Sequence, residues 1–422
     1  MKLGVIADDF TGAVDAAGFL KKGGMTPILL TGASHTDDKK IPSEFDVAIL
    51  ALKIRSCPVK EAVSQALAAL SYLQKQGCNQ FFYKYCSTFD STPKGNIGPV
   101  TDAIMEKLQV HTTTICPALP VNGRTVYKNY LFVKDQLIEN SPMRFHPITP
   151  MTQSSLRDLM AGQFTGKTNC IYLEDIEQGK DHTAALLKKL EQDGYNYIIT
   201  DTVRDSDLAT IAAATKNMPF LTGSSGLTEY IAQLYHKKKQ TEKALYRMPG
   251  KNCVILSGSC SAMTNRQVNR YKVLGASLAV DIGKCLFSEN YAQEVANWVL
   301  STSGKEWAPL VYATKTPEER EKSSRQFGNY NIAEAIDCFF GKLTRILVDS
   351  GITTIITAGG ETSGIVVQNA HTEFFRIGKE IAPGVSWIIG SNGQKQPIQL
   401  ALKSGNFGDE DFFRKVQKGV IE

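Results

Sequence analysis

The run Ile355-Ile356-Thr357-Ala358-Gly359-Gly360-Glu361-Thr362-Ser363-Gly364 decides how this chain is read. β-Branched residues from Thr353 to Thr357 predict a buried strand, two glycines turn the chain, and Thr362 or Ser363 is placed to cap a following helix. A strand, a Gly-rich turn and a helix N-terminus together make an anion site, because free backbone N–H groups and the positive end of the helix dipole face the same way. Gly359 and Gly360 let the backbone approach a phosphate closely, since no Cβ stands in between. An ordinary tight βα turn would use the same residues, so the rest of the chain has to discriminate.

Outward from this run, strand-like and helix-like stretches alternate almost throughout, which predicts α/β architecture with largely parallel sheets. The first half carries candidate strands at 3–7, 27–30, 47–52, 80–84, 112–116 and 197–200. Between them, 11–22 and 58–76 show apolar residues at helical spacing, with Ala62, Ala66, Leu67 and Leu70 marking the second. Residues 123–133 read instead as a β-hairpin or flap around Asn129, and a helix is expected to start near Ser154 or Ser155. After a polar, Lys-rich stretch at 236–243 and Gly250, the second half repeats the pattern. Its strands are expected near 252–256, 278–281, 309–314 and 353–357, and its longest helix over 332–349. The expectation is two α/β domains, 1–240 and 250–422, with a ligand cleft between them.

The totals exclude several classes. A chain of 422 residues exceeds one typical domain. Its 47 Lys and Arg nearly balance 42 Asp and Glu, and no basic block exceeds Lys237-Lys238-Lys239, so no nucleic-acid or membrane footprint is indicated. Nine scattered cysteines with no C-x-x-C pair, several in apolar runs (Cys116, Cys170, Cys253), argue for a reducing cytosol and against a disulfide framework or a zinc site. The N-terminal stretch opens directly on a strand and has no signal-peptide profile, and no apolar run approaches membrane-spanning length, so a cytoplasmic location is expected.

Candidate chemistry gathers at strand ends. In parallel α/β sheets ligands bind beyond the carboxyl ends of strands, which is where Asp8 and Asp9 fall. Thr11 could cap the next helix, and so could one of the aspartates; two adjacent carboxylates exceed what one cap requires, so one is read as orienting or deprotonating a substrate hydroxyl. Lys53 and Arg55 follow the third strand; Lys84, Ser87, Thr88, Asp90 and Ser91 follow the fourth. Such Arg and Lys groups suit a small carboxylate substrate, which Arg can grip through two bonds. Arg124 opens the hairpin beside Asn122 and Gly123, and His146 sits in a proline-flanked loop at 143–151, as a substrate contact or as a structural hydrogen-bonding group.

In the second half three Gly/Ser/Thr-rich turns lie at strand ends: 256–261, 359–363 and 403–408. Three loops that each offer N–H groups and hydroxyls fit a nucleotide polyphosphate better than three unrelated turns. No P-loop, dinucleotide fingerprint or protein-kinase motif set occurs, so a nucleotide site here is of another kind.

Four stretches together resemble the four-carbon acid sugar kinases: Ile6-Ala7-Asp8-Asp9-Phe10-Thr11-Gly12-Ala13, Lys84-Tyr85-Cys86-Ser87-Thr88-Phe89-Asp90-Ser91-Thr92, Gly359-Gly360-Glu361-Thr362-Ser363 and Ser404-Gly405-Asn406-Phe407-Gly408. The resemblance spans the chain from its first strand to its last loop. It implies ATP-dependent phosphorylation of the terminal hydroxyl of a four-carbon sugar acid, with the acid held by 1–240 and ATP by 250–422. ATP contacts are implied at Ser257, Ser259, Gly359, Gly360, Glu361, Thr362 and Gly405, with Mg²⁺ riding on the ATP phosphates. Arg55 and Lys84 would hold the acid end, with Ser87, Asp90, Arg124 and His146 as further substrate contacts, and Asp8 or Asp9 would orient the hydroxyl. The stretch Cys116-Pro117-Ala118-Leu119-Pro120 to Arg124, with His146-Pro147-Ile148-Thr149-Pro150-Met151, resembles the 3-oxo-tetronate kinase branch; Asn129 stands where relatives are expected to have glycine. Threonate or erythronate 4-kinases, a non-catalytic acid-sugar binder and a dehydrogenase are the alternatives, and self-association is left open. Glu361 needs a partner beside phosphates: Mg²⁺, a ribose hydroxyl or a cation.

Overall fold

The computed structural model describes residues 2–31, 45–146, 149–235, 249, 252–372, 374–382, 384–390 and 397–419. The Lys-rich stretch 236–243, Gly250, Pro147 and Ile148, all invoked above, lie outside the described residues. The chain divides into two compact units, Met1–Thr241 and Glu242–Glu422.

In the first unit the sheet strands are β1 (Leu3–Ala7), β2 (Pro27–Thr31), β3 (Val47–Ala51), β4 (Gln80–Lys84) and β5 (Thr113–Cys116), then β9 (Thr168–Ile171), β10 (Tyr197–Thr200) and β11 (Phe220–Gly223). They lie in the order β2-β3-β1-β4-β11-β5-β10-β9, and every pairing is parallel. β1 to β4 are buried along their whole length, which is why they read as apolar runs without polar alternation, with polar residues only at strand ends (Thr31, Gln80, Lys84). Helix Phe10–Lys22 buries Ala13, Ala16, Ala17 and Leu20, and helix Val59–Lys75 buries Ala62, Ala66 and Leu70, while Leu67 is only half-buried.

The predicted hairpin is β6 (Arg124–Tyr127), β7 (Tyr130–Val133) and β8 (Gln136–Leu137), a small antiparallel sheet. Its tip places Lys128 and Asn129 at φ 51° and 65°, the two left-handed residues of a type I′ turn. Asn tolerates that region better than most side chains, and Asp201 accepts bonds from the Lys128 N–H (2.8 Å) and the Asn129 N–H (3.0 Å). The tip therefore works without glycine. The helix expected near Ser154 or Ser155 is Leu156–Ala161, capped by Ser155.

The second unit contains β12 (Cys253–Ser257), β13 (Ser277–Ala279), β14 (Leu310–Tyr312), β15 (Thr354–Ala358), β16 (Phe374–Ala382), β17 (Val385–Gly390) and β18 (Ile398–Lys403). β13-β14-β12-β15-β18 run parallel, and β17 and β16 continue from β18 in antiparallel fashion. Tyr271, Trp387, Phe412 and Phe413 pack with Ile255 and Ile356 of the central strands. The long helix is Ile332–Asp349, with the predicted bounds, and it buries Phe339, Phe340, Leu343 and Leu347.

One capping expectation changes, and one open alternative is decided. Gly359 takes the N-cap position of helix Gly360–Asn369 at φ 124°, a conformation open to glycine, so the turn closes before Thr362 or Ser363 can cap it. Ser363 instead shares a 2.7 Å hydroxyl bond with Thr357. At the first helix Asp9, not Thr11, is the N-cap: its carboxylate accepts the Gly12 N–H at 2.7 Å, and the Thr11 hydroxyl donates to it at 3.1 Å.

Candidate active site

In the first unit Ala7, Ala51, Lys84 and Gly223 end adjacent strands at one level, because Ala7 pairs with both Ala51 and Lys84, and Lys84 with Gly223. The segments leaving those ends meet. Arg55 donates from Nε and Nη2 to the two oxygens of Asp8, at 2.8 and 2.9 Å. Nη2 also lies 3.1 Å from Asp9, and Nη1 3.5 Å from Asp90. One guanidinium thus ties together three carboxylates from two separate stretches. Burial would pull Arg55 down, but Asp8 and Asp9 hold it protonated, well above its ordinary value. Burial pushes the Asp8 carboxyl up, against the pull of Arg55. At Asp9 burial also pushes up, but Arg55, Lys84 and the Gly12 N–H together win and hold it below its ordinary value. Asp8 is 2 % exposed and the Asp9 side chain 27 %, so Asp9 is the carboxylate a ligand can reach.

Lys84 is 3 % exposed. Among the described residues its ammonium has no hydrogen-bond or ion-pair partner, although its charge is felt by Asp9 and Asp15. A Cβ on Gly12 would lie 2.5 Å from both Lys84 Nζ and Asp9 Oδ1, so glycine is needed for the ammonium to stand beside this helix start. Asp90 is held by the Thr88 hydroxyl at 2.5 Å, and buried Phe89 before it sits at φ 51°, backbone strain that turns this stretch toward Arg55. Ser87 is half-buried in the same turn, whereas Lys53 is exposed.

Arg124 and His146 are placed differently. Arg124 donates to the Asn122 carbonyl, its Nε is buried with no partner among the described residues, and its charge acts on Asp15. Its charge, like that of Lys84, therefore reaches Asp15. His146 Nδ1 meets the Thr149 N–H (3.1 Å) and hydroxyl (3.0 Å), a local loop contact. No described contact brings it to the Asp8–Arg55 cluster.

Asp15 is the group that sequence reasoning missed. One oxygen accepts the Ser225 hydroxyl; the other is buried and unpartnered among the described residues. Burial pushes its carboxyl up, opposed by Lys84. Its position one helical turn after Thr11, on the Gly12 side of the helix, was the available signal.

In the second unit Ser257 pairs with Ala358, and Ala358 with Lys403, so three adjacent strands again end level. The three Gly/Ser loops begin there and interlock. The Gly258 and Ser259 N–H groups donate to Ala358 O at 3.0 and 3.1 Å, and the Gly359 N–H donates to Lys403 O at 2.8 Å. A Cβ on Gly405 would lie 2.7 Å from Ser259 Oγ and 3.0 Å from Ser261 Oγ, and one on Gly258 would collide with Thr362 Oγ1. Ser257 is fully buried and bonded to Thr314 at 2.7 Å, so it supports the loop from below. Gly360 and Glu361 are exposed at the first turn of the helix.

Residues 3–231 match the family model described as a sugar-binding N-terminal domain, and residues 254–413 the one described as a nucleotide-binding C-terminal domain. A Brucella melitensis protein named 3-oxo-tetronate kinase is 46 % identical over 99 % of this chain and 95 % of its own. The chain belongs to the four-carbon acid sugar kinases, on their 3-oxo-tetronate kinase branch. The Haemophilus influenzae member of that branch is 45 % identical over 98 % of this chain and 99 % of its own. Two solved structures share the architecture at 44 % identity. A Haemophilus influenzae protein has a TM-score of 0.80, covering 99 % of this chain and all of that one. A Salmonella typhimurium LT2 protein, once given a provisional tRNA synthase description, has a TM-score of 0.87 over the whole of both chains. The curated relative from that same organism, 45 % identical over 99 % of each chain, carries the kinase name.

Among the described residues no cluster of three or more His, Cys, Asp or Glu could hold a metal ion. The loops of the second unit present hydroxyls, N–H groups and the carboxylate of Glu361. That donor set fits an ion carried largely on the phosphates of a nucleotide, as Mg²⁺ commonly is. No helix among the described residues is long and apolar enough to cross a membrane.

Proposed function

We propose that this chain transfers the γ-phosphoryl group of ATP to the 4-hydroxyl of a 3-oxo-tetronate, giving the 4-phosphate and ADP, with the first unit holding the acid and the second the nucleotide. The observation that carries the reading is Lys84. A buried ammonium without a carboxylate partner among the described residues, level with three other strand ends and beside Asp9, is a site for an anion. The names of the relatives supply which anion.

Phosphoryl transfer asks a protein mainly for positioning and charge stabilisation. Lys84 takes the substrate carboxylate, with Arg124, whose charge also acts on Asp15, as a second cation for it. Asp9 orients the 4-hydroxyl and receives its proton as that oxygen bonds to the γ-phosphorus and the bond to the β-phosphate oxygen breaks. Its depressed pKa keeps it ionised, as an acceptor must be. Asp8 is locked by Arg55, so this pair forms the frame that holds Asp9 and Asp90 in place. In the second unit the Ser257–Ser261, Gly359–Thr362 and Gly405 loops receive the phosphates. Glu361 would be the carboxylate of this unit to meet a Mg²⁺ carried on the ATP phosphates, an ion that would there neutralise phosphate charge. All nine cysteines are free, which supports a reducing, cytoplasmic setting.

A coupled ADP-release assay across 3-oxo-tetronates, threonates and erythronates tests the reading. Turnover fastest with a 3-oxo-tetronate is expected. Acid binding without ATP turnover would make the chain a sensor, and turnover confined to threonate or erythronate would move it to a sister branch.

A further inference from the structure

Lys403, the last residue of β18, is 0 % exposed and makes no ion pair with a described residue. Its ammonium donates to Gly405 O at 2.9 Å, Ser404 O at 3.0 Å and Thr264 Oγ1 at 3.2 Å. An ammonium has three donors, so its whole capacity is spent on the loop that follows it and on the helix behind that loop. The Gly405 carbonyl also accepts from Ser261 Oγ and Thr264 Oγ1, both at 2.7 Å. Three donors on one carbonyl are more than a turn requires.

The consequence lies on the other side of each peptide. No described peptide bond is cis, and in a trans peptide C=O and N–H point opposite ways. Drawing the Ser404 and Gly405 carbonyls into the buried network therefore turns the Gly405 and Asn406 N–H groups outward. Neither has a partner among the described residues. Successive outward N–H groups form a concavity for an anion. Burial without a counter-charge pushes the Lys403 ammonium down to about 7, which a bound polyphosphate nearby would offset.

We propose that Lys403 is the positioning residue of the nucleotide site: it holds the Ser404 and Gly405 carbonyls inward so that the N–H groups of Gly405 and Asn406 face the phosphates. This rests on the reading of the Gly405 loop as a phosphate loop. The test uses the full chain, with Lys403→Met and the near-isosteric Thr264→Val, and calorimetric titration with ATP, AMP and adenosine. Lys403→Met is expected to weaken ATP roughly tenfold or more, AMP less, and adenosine not at all, with the KM for the acid within about twofold of wild type. Thr264→Val is expected to shift ATP in the same direction by less. Equal loss for ATP and adenosine, or unchanged ATP affinity in a variant that melts cooperatively, overturns the proposal. Should Lys403→Met fail to fold, the same comparison on Thr264→Val decides. A wild-type chain that binds no ATP would instead sink the kinase reading, and the inference with it.

Discussion

Replacing Lys84 by Met separates stability from binding. The ammonium is buried, and taking such a charge out of water costs several kcal/mol. Attraction to Asp9 and Asp15 returns part of that cost, yet no ion pair closes on it among the described residues. Met has similar length and no charge, so both contributions vanish together. The unfolding free energy in urea is expected to stay within about 1 kcal/mol of wild type, or to rise. Binding should respond very differently. Loss of one partner of a buried, hydrogen-bonded charge pair costs about 2–5 kcal/mol, or roughly thirtyfold to several-thousandfold in the KM for the sugar acid. The KM for ATP should not move, because the Gly/Ser loops lie in the other unit. Steady-state ADP release with each substrate varied in turn reads both constants. The reasoning fails if Lys84→Met loses more than about 3 kcal/mol of stability while the acid KM is unchanged. Lys84 would then be a structural counter-ion of Asp9 and Asp15.

Three further outcomes follow from the same geometry. Gly12→Ala would place a Cβ 2.5 Å from Lys84 Nζ and Asp9 Oδ1; Asp9 is held by Arg55, so Lys84 must move, at about 1–3 kcal/mol of stability by urea unfolding and with a raised acid KM. Asp9→Asn should lower kcat roughly a hundredfold with the fold intact, whereas Asp8→Asn strips Arg55 of its two-bond partner and should cost about 3–5 kcal/mol by denaturation; near-wild-type kcat in both would reduce the aspartates to caps and frame. For Lys403 the native pKa of about 7 lies below the ordinary 10.5, so between those values the unfolded chain holds a proton the native one lacks. Unfolding free energy should therefore rise with pH across that window, by at most about 1.4 kcal/mol per pH unit, in wild type relative to Lys403→Met. A flat difference profile in urea unfolding would refute the burial argument.

Some of this was legible because local pattern and burial agree. β1 is an unbroken apolar run, β4 is an aromatic run bounded by Gln80 and Lys84, and the helix Ile332–Asp349 repeats its apolar face for five turns, so their limits could be read directly. Short strands were missed. β11, Phe220-Leu221-Thr222-Gly223, sits between β4 and β5 in the sheet, but four residues after a proline carry too little pattern to stand out. β16 alternates buried Phe375 and Ile377 with exposed Arg376 and was still overlooked, as was its antiparallel pairing with β17. The cap of helix Gly360–Asn369 was misjudged because the φ of Gly359 decided it.

By itself the sequence determined the α/β class, the Asp8-Asp9 pair at the first strand end and the three phosphate-friendly turns, because each is a property of neighbouring residues. Only the tertiary structure decided what those groups do to one another. Strand register brings Ala7, Ala51 and Lys84 level in one unit and Ser257, Ala358 and Lys403 level in the other. That register commits Arg55 to Asp8, leaves Lys84 without a counter-ion among the described residues and turns Lys403 under the Gly405 loop. Charge and hydrogen bonding act over a few ångströms in space. Residues 47 or 141 positions apart share those few ångströms only once the sheets have formed.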